Sequence, residues 1–163
     1  MKPNILDSVD LELLGYLQRD ASTSNLALAD RVHISPPTCL RRVKRLHDIG
    51  LITKQVALLN PERLAAALGC GLTAMVEITL DQQSTEAWEQ FEARVVQEDR
   101  VQQCYRVSPG PDFCLVVHAL DMQDYLALTQ RLFTADANVR NVKAFFSVKR
   151  SKFGAELPLP ARH

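Results

Sequence analysis

The chain has 163 residues, 47% hydrophobic and 23% charged, enough for one ordinary domain or two small ones and too apolar for a disordered chain. Nineteen basic and nineteen acidic side chains cancel, which excludes a uniformly basic coat for nucleic acid or membrane but leaves room for a local patch. No run approaches the ~20 apolar residues of a membrane span, and the N-terminus lacks a signal peptide's basic-then-apolar pattern, so a cytoplasmic protein is expected.

Charge is segregated. Six basic residues stand against one acid between Arg31 and Lys54, whereas Pro61 to Val139 holds five basic residues and twelve acids. A basic first third joined to an acidic remainder fits a chain that meets phosphates through its first part alone.

The first helix is predicted over Val9 to Asp20, with Leu11, Leu14 and Leu17 as its apolar stripe, Leu13 beside them and Ser8 as N-cap. The polar run 21–25 connects to a short helix, Leu26 to His33, capped by Asn25, with Leu26, Ala29 and Val32 on one side. A third helix opens at Pro36-Pro37 after Ser35 as N-cap, since the first helical positions have no intrahelical partner for an N–H, and ends near Gly50.

At roughly 100° per residue, Thr38, Arg41, Arg42 and Arg45 of that third helix fall within about a 100° arc, with Lys44 on a flank. Cys39, Leu40, Val43 and Leu46 take the opposite side and are expected to pack on the two preceding helices. Guanidinium groups suit both guanine edges and phosphates, so the order short helix, turn, basic helix reads as helix-turn-helix. Thr38, Arg41, Arg42 and Arg45 are the candidate major-groove residues, with Ser35 and Lys44 near phosphate. The competing reading is a solvated basic face on an ordinary helical bundle.

Ile52 to Leu59 is rich in strand formers and could add a wing, and Asn60-Pro61 marks a linker. Leu72 to Leu80 then alternates as a strand. A helix over Ser84 to Asp99 carries Trp88, Phe91 and Val95 inward. Strands at Val101 to Ser108 and Phe113 to Leu120 flank the turn Pro109-Gly110-Pro111-Asp112. Asp121 caps a helix from Met122 to about Ala135, and Val139 to Lys149 is the last strand. The expected fold is therefore α+β, an N-terminal winged helix-turn-helix domain (residues 1–60) plus a C-terminal ferredoxin-like βαββαβ domain (61–150), with an extended tail over 151–163.

Pairing Ser108 with Asp112 places Tyr105 opposite Leu115, and Cys104, Arg106, Cys114, Val116 and His118 on a second sheet face too apolar for water. A second copy of the chain is the expected cover. A one-residue slip would invert the two faces. The four cysteines, Cys39, Cys70, Cys104 and Cys114, form no C-x-x-C pair, and the histidines His33, His47, His118 and His163 add no ligand spacing. No metal or cofactor is expected.

Helix-turn-helix followed by βαββαβ resembles the Lrp/AsnC family of feast/famine transcriptional regulators over nearly the whole chain, Leu6 to about Leu159. The most specific stretch is residues 6–52, with its initial Leu-Asp, its Leu-Ala pair in the second helix and Ser-Pro-x-x-Cys-x-x-Arg-Val-x-x-Leu in the third. "ALLNPERL" at 57–64 looks like the family's hinge strand and "VEITL" at 76–80 like its first sheet strand. The resemblance implies a sequence-specific DNA-binding regulator of amino-acid metabolism rather than an enzyme. It further implies homodimers packed through their sheets, assembling to octamers, and an amino-acid effector held between subunits near the middle hairpin.

Carried over by position, the effector residues are Ser108, Pro109, Gly110, Pro111 and Asp112, with Met122, Phe146 and Ser147 nearby. Pro109 stands where the family usually has Gly. An amino acid needs an anion for its ammonium and N–H donors for its carboxylate. Asp112 can supply the first, or can simply cap its own turn. With two prolines in the turn, Gly110, Asp112 and Phe113 remain as backbone donors, with the Ser108 side chain as a substitute. A dimer would set two recognition helices roughly 34 Å apart, so an imperfectly palindromic double-stranded operator is expected. The alternative on the same architecture is a decarboxylase of the haem pathway, for which Arg106 and His118 would be recruited. A metabolite sensor acting without DNA is a third reading.

Overall fold

The computed structural model describes residues 6–160, which form two compact units, one from the chain up to Leu58 together with the segment from Lys152 onward, the other Leu59–Ser151. No helix among the described residues is long and apolar enough to cross a membrane.

The N-terminal unit holds α1 (Ser8–Leu17), α2 (Asn25–Arg31) and α3 (Pro36–Asp48). The cap of α1 is Asp7, not Ser8: its carboxylate accepts the Asp10 N–H, while the Asp10 carboxylate accepts the Asp7 N–H. The exchange satisfies two N–H groups that a helix start leaves without partners. Ser24, not Asn25, caps α2 through the Ala27 N–H. The Asn25 side-chain amide instead reaches forward to the Pro36 carbonyl, tying the start of α2 to the start of α3. Leu13, Leu17, Leu28, Ala29, Val32, Cys39 and Leu46 form the core of this unit.

The wing expected over 52–59 does not form. Residues 53–60 contain no strand, and Val56, Leu58 and Leu59 lie exposed, because a lone strand former has no ladder to join within one chain. The segment 152–160 is extended and runs along α1. The Gln18 side-chain amide donates to the Leu157 carbonyl and accepts the Leu157 N–H, Arg19 pairs with Glu156, and a Cβ on Gly15 would touch Leu159.

In the second unit, Asn60-Pro61 opens a helix instead of a linker. Helix α4 (Pro61–Leu68) has Asn60 as its cap, and Gly69 closes it in the left-handed conformation at φ 70°. The sheet elements follow as β1 (Leu72–Leu80), α5 (Thr85–Val95), β2 (Val101–Arg106), β3 (Phe113–Ala119), α6 (Met122–Thr129) and β4 (Val139–Phe146). A π-helical turn over Gln130–Thr134 extends α6 and buries Leu132 and Phe133. The sheet is antiparallel in the order β2-β3-β1-β4, the arrangement that βαββαβ requires. Ala74, Val76, Ile78 and Leu80 of β1 and Phe113, Leu115 and Val117 of β3 face the helices, where the tilted rings of Phe91 and Phe113 have their centroids 4.7 Å apart.

The middle hairpin is one residue out of the expected register. Arg106 pairs with Phe113, Tyr105 with Cys114 and Cys104 with Leu115. The cause lies in the turn, where the Val107 N–H closes on the Asp112 carbonyl and the Asp112 N–H joins the Ile78 carbonyl of β1. The loop thus spans four residues, not three, and the faces of β2 invert. Cys104 and Arg106 lie on the helix side, whereas Tyr105 lies with Cys114, Val116, His118 and Met75 on the open side. Cys104 and Cys114, expected on one face, therefore point to opposite faces.

Candidate nucleic-acid interface and effector turn

Helix α3 starts at Ser35, as expected, but its cap is unusual. Pro36 and Pro37 remove the first two N–H groups, and the Ser35 hydroxyl turns to the Thr38 hydroxyl 2.8 Å away and not to the backbone. Both hydroxyls sit at the helix mouth, Ser35 exposed and Thr38 half-buried.

The guanidinium groups divide into two sets. Arg42 and Arg45 do not stand free: Arg42 Nη1 bonds Asp7 Oδ2 at 2.7 Å and Asp10 Oδ1 at 2.9 Å, and Arg45 Nη2 bonds Asp10 Oδ2 at 2.5 Å. Asp10 is 1% exposed, so both of its oxygens are withdrawn from water into this clamp. The Asp10 N–H, then Arg42, hold the Asp7 carboxyl below its ordinary range, and the two acids fix Arg42 more firmly as a cation. Two of the four residues expected to face DNA thus lock α3 onto the N-terminus of α1. Nothing in the α3 sequence reveals this. The signal was Asp7-x-x-Asp10, an acidic pair at a helix start whose second member falls at a core-facing position.

The ridge of α3 that meets water is formed by Pro37, Leu40, Arg41 and Lys44, spaced three or four apart as one helix face demands. Arg41 and Lys44 make no hydrogen bond or ion pair with another described residue. Leu40 was expected among the packing residues, yet it is 61% exposed, while Cys39 and Leu46 are fully buried. The outward face is rotated from the expected arc because Asp10 draws Arg42 and Arg45 to one side.

In the second unit, Gly110 has φ 122°, a conformation that suits glycine. Asp112 is 6% exposed. Its Oδ2 accepts the Leu80 N–H at 2.7 Å and the Gln83 amide at 3.2 Å, and its Oδ1 accepts the Trp88 indole N–H at 3.0 Å. The carboxylate expected to hold a ligand ammonium thus already ties the turn to β1 and α5, and its N–H, expected as a ligand donor, is committed to Ile78. Trp88 lies under the Arg106 guanidinium, 5.2 Å from the ring centroid, and Arg106 forms two bonds to Glu92 at 3.0 and 2.7 Å. Sequence reasoning missed Trp88 and Gln83 because a core helix and a turn 24 to 29 residues away look independent until the sheet closes.

Met122, Phe146 and Ser147 are not beside this turn within one chain. Phe146 pairs with Ala74, the Ser147 N–H bonds the Thr73 carbonyl, and Met122 begins α6 just after the strand end that pairs with Leu72. Asp112 bonds Leu80 at the other end of β1, about 20 Å away at the rise of an extended strand. The decarboxylase alternative also fails on geometry. Arg106 is held by Glu92 on the helix side, whereas His118 sits on the open side beside Thr73, where burial and Arg150 push its pKa down.

Comparison with known proteins bears on both units. Residues 6–53 match the winged helix-turn-helix DNA-binding family, and residues 73–157 match the Lrp/AsnC ligand binding domain. An HTH-type transcriptional regulator of Haemophilus influenzae is 40% identical, over 90% of this chain and 85% of its own. The leucine-responsive regulatory protein of Salmonella typhimurium is 34% identical over 96% and 93%. Among solved structures, a transcriptional regulator from Neisseria meningitidis in complex with L-Met superimposes with a TM-score of 0.81 at 29% identity, covering 94% of this chain and 96% of the other. A DNA-binding helix-turn-helix unit joined to a four-stranded ligand-binding unit, with relatives this similar over this much of the chain, makes the protein a member of the Lrp/AsnC family of transcriptional regulators.

Proposed function

We propose that this regulator binds a double-stranded operator through the outward ridge of α3, with Arg41 and Lys44 as its free cations. Ser35 and Thr38 approach a phosphate at the helix mouth, while Arg42 and Arg45 act by holding α3 at its angle on α1. The observation that carries this reading is the division of the cations: those clamped by Asp7 and Asp10 serve the fold, leaving two exposed on the face opposite the core. Arg41→Ala is expected to weaken binding to a selected duplex by ~1–3 kcal/mol and relax sequence preference if Arg41 reads a base. Lys44→Ala should weaken binding to all duplexes and reduce the salt slope by about 1. Unaltered affinity and salt slope in both variants, titrated at fixed ionic strength, would sink the assignment.

The second part of the proposal is a cytoplasmic homodimer whose open sheet faces pack together, with an amino acid as effector. Met75, Tyr105 and Phe145 are about half exposed on that face, an apolar surface of the kind that homodimers cover. The candidate effector residues lie at the two ends of the sheet, so a ligand touching both sets takes them from different copies. Two dimer-related α3 helices would favour an imperfectly palindromic operator, and octamers would follow if dimers join. A thermal-shift series with each of the twenty amino acids tests the effector. An apolar one such as methionine or leucine is expected to raise the melting temperature, and no response to any of them ends this reading.

A further inference from the structure

Leu40 is the one large apolar side chain within α3 that is exposed among the described residues, at 61% of its surface, and it stands on the same ridge as Arg41 and Lys44. Its neighbours Cys39, Val43 and Leu46 all turn to the core of the N-terminal unit, so Leu40 is not a frayed edge of that core. A leucine centred on a cationic ridge gains nothing from water or from phosphate oxygens. Arg41 and Lys44 select a polyanion as the occupant of this face. Of the groups that a duplex presents in its major groove, the apolar one is the 5-methyl of thymine.

We infer that Leu40 is a specificity-determining residue that packs on a thymine 5-methyl group in the operator, beside the polar contacts of Arg41. The inference rests on the DNA-binding reading above and deepens it by naming a base. The carboxylate-clamped Arg42 and Arg45 give the contact its accuracy. With α3 fixed on α1 by Asp10, the Leu40 side chain is presented from a rigid helix, so one methyl group can make a measurable difference.

The full-length protein is used to select duplexes from a random-sequence pool, and each thymine of the selected site is then replaced singly by uracil, which removes only the methyl group. At one thymine per half-site, uracil is expected to weaken binding of the unaltered protein about fivefold, the worth of one methyl-sized apolar contact. Leu40→Ala is expected to show a similar loss on the thymine duplex and no further loss on the uracil duplex, whereas Leu40→Met should retain discrimination. Because Leu40 is exposed, Leu40→Ala should keep the melting temperature of the parent. If the pool yields no enriched duplex, the DNA-binding reading falls and this inference with it. If duplexes are enriched but uracil is tolerated everywhere, or Leu40→Ala discriminates as the parent does, the inference alone is overturned. A change in sedimentation of Leu40→Ala with discrimination intact would likewise overturn it, assigning Leu40 to a protein contact.

Discussion

Asp10→Ala is expected to destabilise the N-terminal unit by about 2–4 kcal/mol and to abolish specific DNA binding with it. Asp10 is 1% exposed and accepts from Arg42 and Arg45 while completing the cap of α1. Removing its carboxylate costs the cap and strips two guanidinium groups of their shared partner. The loss falls toward the lower part of that range because both arginines retain access to water, their side chains being 26% and 41% exposed. Arg42 Nε is already buried without a partner, and the one carboxylate left to Arg42 among the described residues, Asp7, is half exposed and so a weaker acceptor for a clamp. The measurement is urea unfolding followed by far-ultraviolet circular dichroism. Trp88, the single tryptophan, lies in the other unit and serves as the internal control. A parental dichroism midpoint in Asp10→Ala would remove the clamp from the account. The same clamp has an acid limit. Asp7 is held below its ordinary value of 3.8, so its contribution is complete above that value and is lost as pH falls through the lowered folded value. Acidification below about pH 4 should therefore loosen α1, whereas pH changes around neutrality should leave this contribution intact.

How much of this was legible in the sequence follows from the range of the interactions concerned. Strand β1 emerged at its observed bounds because Leu72 to Leu80 alternates for nine residues, and period-2 burial is a local pattern. Helices α1, α2 and α3 were placed by their apolar spacing, although the caps of α1 and α2 shifted by one residue, since Asp7 competed with Ser8 and Ser24 with Asn25 as equally good cap formers. The hairpin register was not legible. It depends on the Asp112 N–H joining Ile78 across the sheet, a bond between residues 34 apart. The candidate DNA face was half legible for a similar reason. Helical periodicity grouped Arg41, Arg42 and Arg45 correctly as one side of α3, but a partner from another helix divides that side. Charge patterning alone cannot separate a cation that meets solvent from one neutralised by an acid 32 residues earlier.

The ligand-binding unit has a corresponding buried acid, and Asp112→Ala is expected to cost it about 3 kcal/mol. The Asp112 carboxylate is the acceptor for the N–H of Leu80, itself 1% exposed, for the Trp88 indole and for the Gln83 amide. Alanine would leave the first two donors unsatisfied, each worth ~1–3 kcal/mol when buried, while Gln83 can turn to water. Asp112→Asn keeps one acceptor but sets an amide N–H₂ against a donor, so its loss should be intermediate. Trp88→Phe removes a donor together with its need for an acceptor and should cost less than either. The pair is coupled through one hydrogen bond, so Trp88→Phe combined with Asp112→Ala should lose less than the two single losses added. Full additivity in that cycle, read from urea midpoints by dichroism, would mean the indole bond contributes nothing. The geometry also fixes what an effector would feel. The turn carrying Ser108 to Gly110 is fastened to α5 through Asp112, Trp88 and the Arg106–Glu92 pair. A ligand seated on the turn therefore meets a surface held in one shape before binding, and Asp112→Ala, by releasing it, should raise the dissociation constant of any amino acid that stabilises the parent protein. Equal affinity in parent and variant would place the ligand elsewhere on the sheet.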